Sequence, residues 1–135
     1  MHRLIGLVLA LLAAGLSARA EEPADSIRAV IVSQLHALHA NDLAAAFAHA
    51  SPTIRSKFGT AEVFGHMVET GYPMIWRPAH YEMLALIETT TGQIQTVLFQ
   101  DRDGRLFEAA YDMRRLDGVW RINGVYLRAW PGAGS

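Results

Sequence analysis

Apolar positions along this chain change their period near residue 80. Before it they recur every three or four residues, and after it every second residue. Ile27, Val30, Ile31, Leu35 and Leu38 form the first stripe. That spacing predicts a helix with one buried face, capped by Asp25 or Ser26. Asn41-Asp42 interrupts the stripe and caps the next helix. Leu43 to Ala50 is alanine-rich, with Leu43 and Phe47 four apart, and small side chains let a neighbouring element approach closely. Ser51-Pro52 signals a further short helical turn carrying Ile54 and Phe58, since proline is tolerated at the first helical position. Gly59 ends that turn. Thr60 opens another helix, whose stripe is Val63, Phe64, Met67 and Val68.

The run from Met67 to Pro78, MVETGYPMIWRP, marks the change of regime. Gly71 is placed to leave the helix in a left-handed conformation. Tyr72 is pushed out of the helical region by Pro73. Met74 to Arg77 is expected as a short edge segment, because Pro78 excludes a long central strand. Four strands are then predicted, near Tyr81–Thr89, Gln93–Gln100, Leu106–Arg114 and Val119–Arg128. Their connections hold Thr91-Gly92, Asp101-Arg102-Asp103-Gly104 and Asp117-Gly118, which is hairpin chemistry. Asn123-Gly124 is a second hairpin signal only five residues after Gly118. Read as a turn it leaves a very short strand, so a bulge inside one strand is preferred. Helices followed by short-connected strands give an α+β fold, with the helices on one face of a mainly antiparallel four-stranded sheet.

The first 20 residues stand apart. Arg3 precedes an unbroken apolar run from Leu4 to Leu16, and Ala18-Arg19-Ala20 fits a small-x-small cleavage pattern. This is the pattern of a secretory signal peptide. The expected layout is a signal over 1–20, a flexible leader over 21–26, one domain over 27–128 and a frayed tail over 129–135. The product is expected in the periplasm or outside the cell, free of the membrane once the signal is cleaved. The full chain carries a formal net charge of −1. Losing Arg3 and Arg19 lowers it by two, to −3. A mildly acidic domain with no basic run is a poor match for nucleic acid. The chain has no cysteine, so neither a disulfide nor a thiolate zinc site is available.

Four segments carry a resemblance. They are the first helix ending in AND, then FAHASPTIRSKFG, then MVETGYPMIWRP, and the closing DGVWRINGVYL. Together they resemble an uncharacterised bacterial family known as domain of unknown function 4864. The order of helices and strands resembles the nuclear-transport-factor-2-like superfamily, whose cystatin-like cone is shared with ketosteroid isomerase. The resemblance implies a cone-shaped fold and export, and it implies no activity. Fold alone does not choose among enzyme, binding module and assembly domain.

Candidate chemistry is sparse. Phe107, Ala109, Tyr111 and Met113 share one face of the third strand. By simple alternation Trp120, Ile122 and Tyr126 share one face of the fourth. The inward wall is then aromatic, and Tyr111, Trp120 and Tyr126 are candidates for binding a small apolar ligand. Trp76 and Arg77, stiffened by flanking prolines, are further candidates, although an outward Arg77 would pair with an acid such as Glu69. His80, just before the first strand, and Glu82 on it are what remains as an acid/base pair, with a solvated strand entrance as the competing reading. Among His36, His39 and His49, the first two can share a helix side and Asp42 continues their spacing. But Asp42 is explained as a cap and a metal site usually needs at least three protein ligands, so no metal and no cofactor is expected. No nucleophile motif or phosphate loop occurs. The reading is an exported, non-catalytic module that binds a small ligand or a partner. The alternative is an isomerase, dehydratase or hydrolase with an aromatic-lined pocket. Leu98, Leu106 and Ala110 on the other sheet face suggest a homodimer through the sheet.

Overall fold

A computed structural model describes residues 23–133. The expected signal segment lies outside them. Helix α1 runs Pro23–His39, α2 Leu43–Ala48, α3 Pro52–Phe58, α4 Ala61–Gly71 and α5 Pro73–Trp76. Strands follow as β1 His80–Glu88, β2 Gln93–Gln100, β3 Leu106–Leu116 and β4 Val119–Ala129. One 3-10 turn covers Pro131–Ala133. The helices pack on one face of an open antiparallel sheet of order β1-β2-β3-β4. The α+β arrangement read from the pattern is therefore the one formed.

Three helices, α2, α3 and α4, start where their cap chemistry lies. Asp42 Oδ1 accepts from Ala45 N at 3.1 Å, Ser51 Oγ from Ile54 N at 3.3 Å, and Thr60 Oγ1 from Val63 N at 3.2 Å. These bonds satisfy amides that have no partner inside the helix. α1 ends through Asn41, which takes a left-handed φ of 60°. Two expectations about the chain's turning point are corrected. Gly71 stays helical, and Tyr72 closes α4 with φ −133°, its amide donating to the Val68 carbonyl. Met74 to Trp76 forms one helical turn instead of an edge segment. Pro73 at its first position needs no amide partner, and the Tyr72 carbonyl accepts from both Ile75 N and Trp76 N at 2.9 Å. The same logic starts α1 at Pro23, inside the stretch expected as leader.

The sheet hairpins follow their turn residues. Asp117 and Gly118 both take positive φ, 51° and 79°. Asp101 Oδ1 accepts from Asp103 N and Arg105 N across the β2–β3 turn. The core sits between sheet and helices, and its largest fully buried side chains include Tyr111, Phe99, Ile27 and Ile31.

Two bulges shape the sheet. In β1, Met83 pairs Val97 and Leu86 pairs Gln95, so Leu84 and Ala85 oppose the single residue Thr96. Thr96 Oγ1 and Gln95 Nε2 both hydrogen-bond the Ala85 backbone there. In β4, Ile122 pairs Met113 and Gly124 pairs Asp112, which leaves Asn123 as the extra residue. Asn123-Gly124 is thus a bulge within one continuous strand. It also reverses the alternation beyond it, because one added residue exchanges the two faces of a strand. Val125 and Leu127 turn to the core, and Tyr126 opposite Ala110 turns to the outer face at 64% exposure. The inward placement expected of Tyr126 is corrected on that ground.

Candidate functional site

The α2–α3 linker sets the position of the main cleft. Ile122 N donates to the His49 carbonyl and Ser51 N donates to the Ile122 carbonyl, both at 2.9 Å. This isolated parallel bridge joins Ala50 to Ile122 and occupies the outer edge of β4 at one point. Pro52 then starts α3 and leads the chain away from the sheet. α4 returns over α2, where Phe64 meets Phe47 at 5.3 Å between ring centroids and Phe58 at 6.1 Å. Gly65 permits that approach, since a Cβ there would lie 2.7 Å from the Leu43 side chain. With α4 held on α2 and α3 held on α4, a gap remains between them and the bulged end of β4.

That gap is a partly open cleft of about 640 Å3. α3 gives Ile54 and Phe58, α4 gives Phe64, Met67 and Val68, and the sheet gives Tyr111 and Val125. Most of this lining is apolar. Lys57 stands at the mouth, exposed, with its ammonium 5.6 Å from the Phe58 ring centroid. Among the described residues, no carboxylate and no imidazole lines the cleft.

The polar side chains of the wall are mostly committed to the protein itself. Gln34 Nε2 donates to the Ala46 carbonyl at 3.1 Å. Asn123 Oδ1 accepts from Ser51 Oγ at 2.8 Å, and its Nδ2 donates to Asp112 Oδ2 at 3.3 Å. Asp112 in turn holds Arg114 through both oxygens. Tyr72 Oη donates to the Val125 carbonyl at 3.4 Å. Tyr111 differs. It is fully buried, and among the described residues its hydroxyl is the buried side-chain oxygen without a hydrogen-bond partner. Burial pushes its pKa well above the ordinary phenol value, and nearby Tyr81 adds to the effect.

Of the residues singled out from sequence, Tyr111 and Tyr126 line this cleft, Tyr126 at its outer rim. Trp120 is buried, with the Arg115 guanidinium 5.8 Å from its ring centroid, and it lies outside the lining. Arg77 stacks on Trp76 at 4.5 Å and donates to the carbonyls of Leu38 at 3.1 Å and Trp76 at 2.7 Å. Its other nitrogen donates to Asn41 Oδ1 at 3.1 Å. The expected ion pair with Glu69 is replaced by a cap on the C-terminal end of α1, where a cation also meets the negative pole of the helix.

His80 and Glu82 do come together. His80 Nε2 lies 3.4 Å from Glu82 Oε1, with both side chains more than half exposed, at 58% and 56%. His80 borders a second, smaller cavity of about 390 Å3, which His36 and His39 also line. Among the described residues, no group of three or more His, Asp or Glu side chains is arranged to hold a metal ion. None of the described helices is long and apolar enough to cross a membrane.

Sequence reasoning missed the helical half of the cleft. Met67, Val68, Ile54 and Phe58 are visible as stripes, but the stripes do not say that α4 packs on α2 and α3 on α4, with a gap left beside β4. A comparison with the curated proteins finds none that matches. A family model matches residues 20–134, almost the whole chain. This protein belongs to the family described as Domain of unknown function (DUF4864).

Proposed function

We propose that this chain is a non-catalytic binding module that takes a small, mainly apolar molecule in the cleft between α3, α4 and β4. The cleft itself carries the reading. Its volume falls in the range of roughly 300–1,000 Å3 usual for ligand pockets. Its lining offers apolar contact and, among the described residues, neither a carboxylate nor an imidazole to move a proton. Burial of a ligand there is driven by about 25 cal/mol for each Å2 of apolar surface removed from water.

The probe for this reading is N-phenyl-1-naphthylamine, a neutral dye that brightens on leaving water. It should bind with saturation, and Thr53→Trp at the exposed mouth should weaken it severalfold without changing thermal stability. An unsaturable signal indifferent to that substitution would remove the reading.

The alternative is an enzyme of isomerase, dehydratase or hydrolase type. The His80–Glu82 contact beside the second cavity favours it. Hydrolysis of a p-nitrophenyl ester that survives purification and disappears in His80→Ala would decide for it.

Export and the wider relationship belong to the same proposal. Arg3, the run Leu4–Leu16 and Ala18-Arg19-Ala20 support a cleaved leader. Intact mass of protein recovered from the bacterial periplasm tests it. The order of helices before an open antiparallel sheet supports a place in the nuclear-transport-factor-2-like superfamily. Self-association through the uncovered sheet face is consistent with Leu98, Leu106 and the exposed Ile87. Size-exclusion chromatography across a concentration series tests that association.

A further inference from the structure

The hydrogen bonds around the cleft leave one group over. Gln34, Asn123 and Tyr72 each spend a polar atom on another part of the protein, whereas the Tyr111 hydroxyl has no partner among the described residues. A buried hydroxyl left without a partner costs about 1–3 kcal/mol, and Tyr111 is part of the cleft wall. We propose that the ligand of this cleft is an uncharged, mainly apolar molecule bearing a carbonyl oxygen, and that the Tyr111 hydroxyl donates a hydrogen bond to that oxygen. This rests on the reading of the cleft as a binding site.

Three observations select this chemistry. First, a neutral phenol carries one O–H to donate, and burial keeps the proton on Tyr111 across the physiological range. An acceptor on the ligand therefore completes it. Second, among the described residues the one formally charged side chain of the lining is Lys57, which is exposed at the mouth. A carboxylate or phosphate deep in the cleft would have no adjacent cation, and an unpaired buried charge is strongly disfavoured. Third, most of the remaining wall is aliphatic or aromatic, which suits the body of such a molecule.

The hydroxyl is covered by the surrounding wall, so the ligand reaches it by turning a wall side chain aside. Met67, half-buried on α4, is unbranched and has the rotamer freedom for that movement.

The test compares 2-acetylnaphthalene with 2-ethylnaphthalene, which differ by a carbonyl in place of a methylene. One hydrogen bond of ordinary net strength makes the ketone bind about 3- to 10-fold more tightly to the wild-type protein. Tyr111→Phe should abolish that preference. The carbonyl stretching band of bound 2-acetylnaphthalene should lie at lower wavenumber in the wild type than in an apolar solvent. That band decides the question even if the variant does not fold. Equal affinities with an unshifted band overturn this inference and leave the cleft standing as a binding site. Failure of both compounds and of the neutral dye to bind overturns the two together.

Discussion

The Ser51 hydroxyl donates a 2.8 Å hydrogen bond to the Asn123 carboxamide oxygen, linking positions 72 apart in sequence. One end of this bond starts α3, and the other is the bulged residue of β4. The cleft lies between those two elements, so this contact ties two of its walls together.

Ser51→Ala removes the cap on Ile54 N and strands the oxygen of Asn123. Loss of a cap costs about 0.5–2 kcal/mol. The variant should melt several degrees lower. It should also bind the neutral dye less tightly, because α3 is no longer tied to the bulge. Calorimetry and dye titration check the two effects separately.

Gly92 lies where the β1–β2 turn passes β3. A Cβ there would sit 2.1 Å from the Met113 backbone oxygen, a contact that no side-chain rotation relieves. Gly92→Ala must move backbone, at a cost of about 1–3 kcal/mol or more. A chemical denaturation midpoint close to wild type would contradict the packing described.

Arg77 has the contacts of a structural cap. Arg77→Met should lose the bonds to Leu38 and Asn41 and destabilise by about 1–3 kcal/mol. Arg77→Lys should recover only part of that, since an ammonium does not reproduce the planar fork. Dye affinity per folded molecule should stay the same in both. A change in affinity without a change in stability would move Arg77 back among ligand contacts.

His49 ties pH to stability. Burial chiefly, with the Arg121 charge second, lowers its pKa below 6.5. Above that value the imidazole is neutral in folded and unfolded chains and contributes nothing. As pH falls through about 6.5, the unfolded chain takes up the proton first, so stability declines until the folded form also protonates. His49→Gln should flatten this part of the stability–pH curve, as thermal melts between mildly acid and neutral pH would record.

Tyr126 tests the parity reversal. Exposed on the outer face, it should tolerate Tyr126→Ala within about 0.5 kcal/mol. Val125→Ala, on the covered face, should cost about 1–2 kcal/mol. The opposite ranking would mean that β4 alternates without a bulge.

Much of the architecture was legible because local chemistry and burial agree. Asp42, Ser51 and Thr60 cap the helices they precede, and Asp117-Gly118 takes the backbone its hairpin needs. Two misreadings share a cause. Single-residue preference misplaces Gly71 and Met74–Arg77, whereas the Tyr72 carbonyl and Pro73 together nucleate a helical turn. Counting in twos misplaces Tyr126, in a strand whose own Asn123-Gly124 signal announces an extra residue. Tyr111 was legible as a wall residue from its place among Ala109 and Met113. Its missing hydrogen-bond partner was not, because that depends on where every neighbouring polar group ends its reach.

An open sheet offers its two outermost strands to any passing chain. Here neither offer is clean. The linker bridge blocks β4 at Ile122, and the double residue Leu84-Ala85 kinks β1 midway along its length. A fifth strand arriving from another molecule finds no long straight run to pair with, and such interruptions are a recognised defence against edge-to-edge aggregation. Straightening β1 by deleting Ala85 should therefore show first as fibril formation on concentration, ahead of any loss of the dissolved fold.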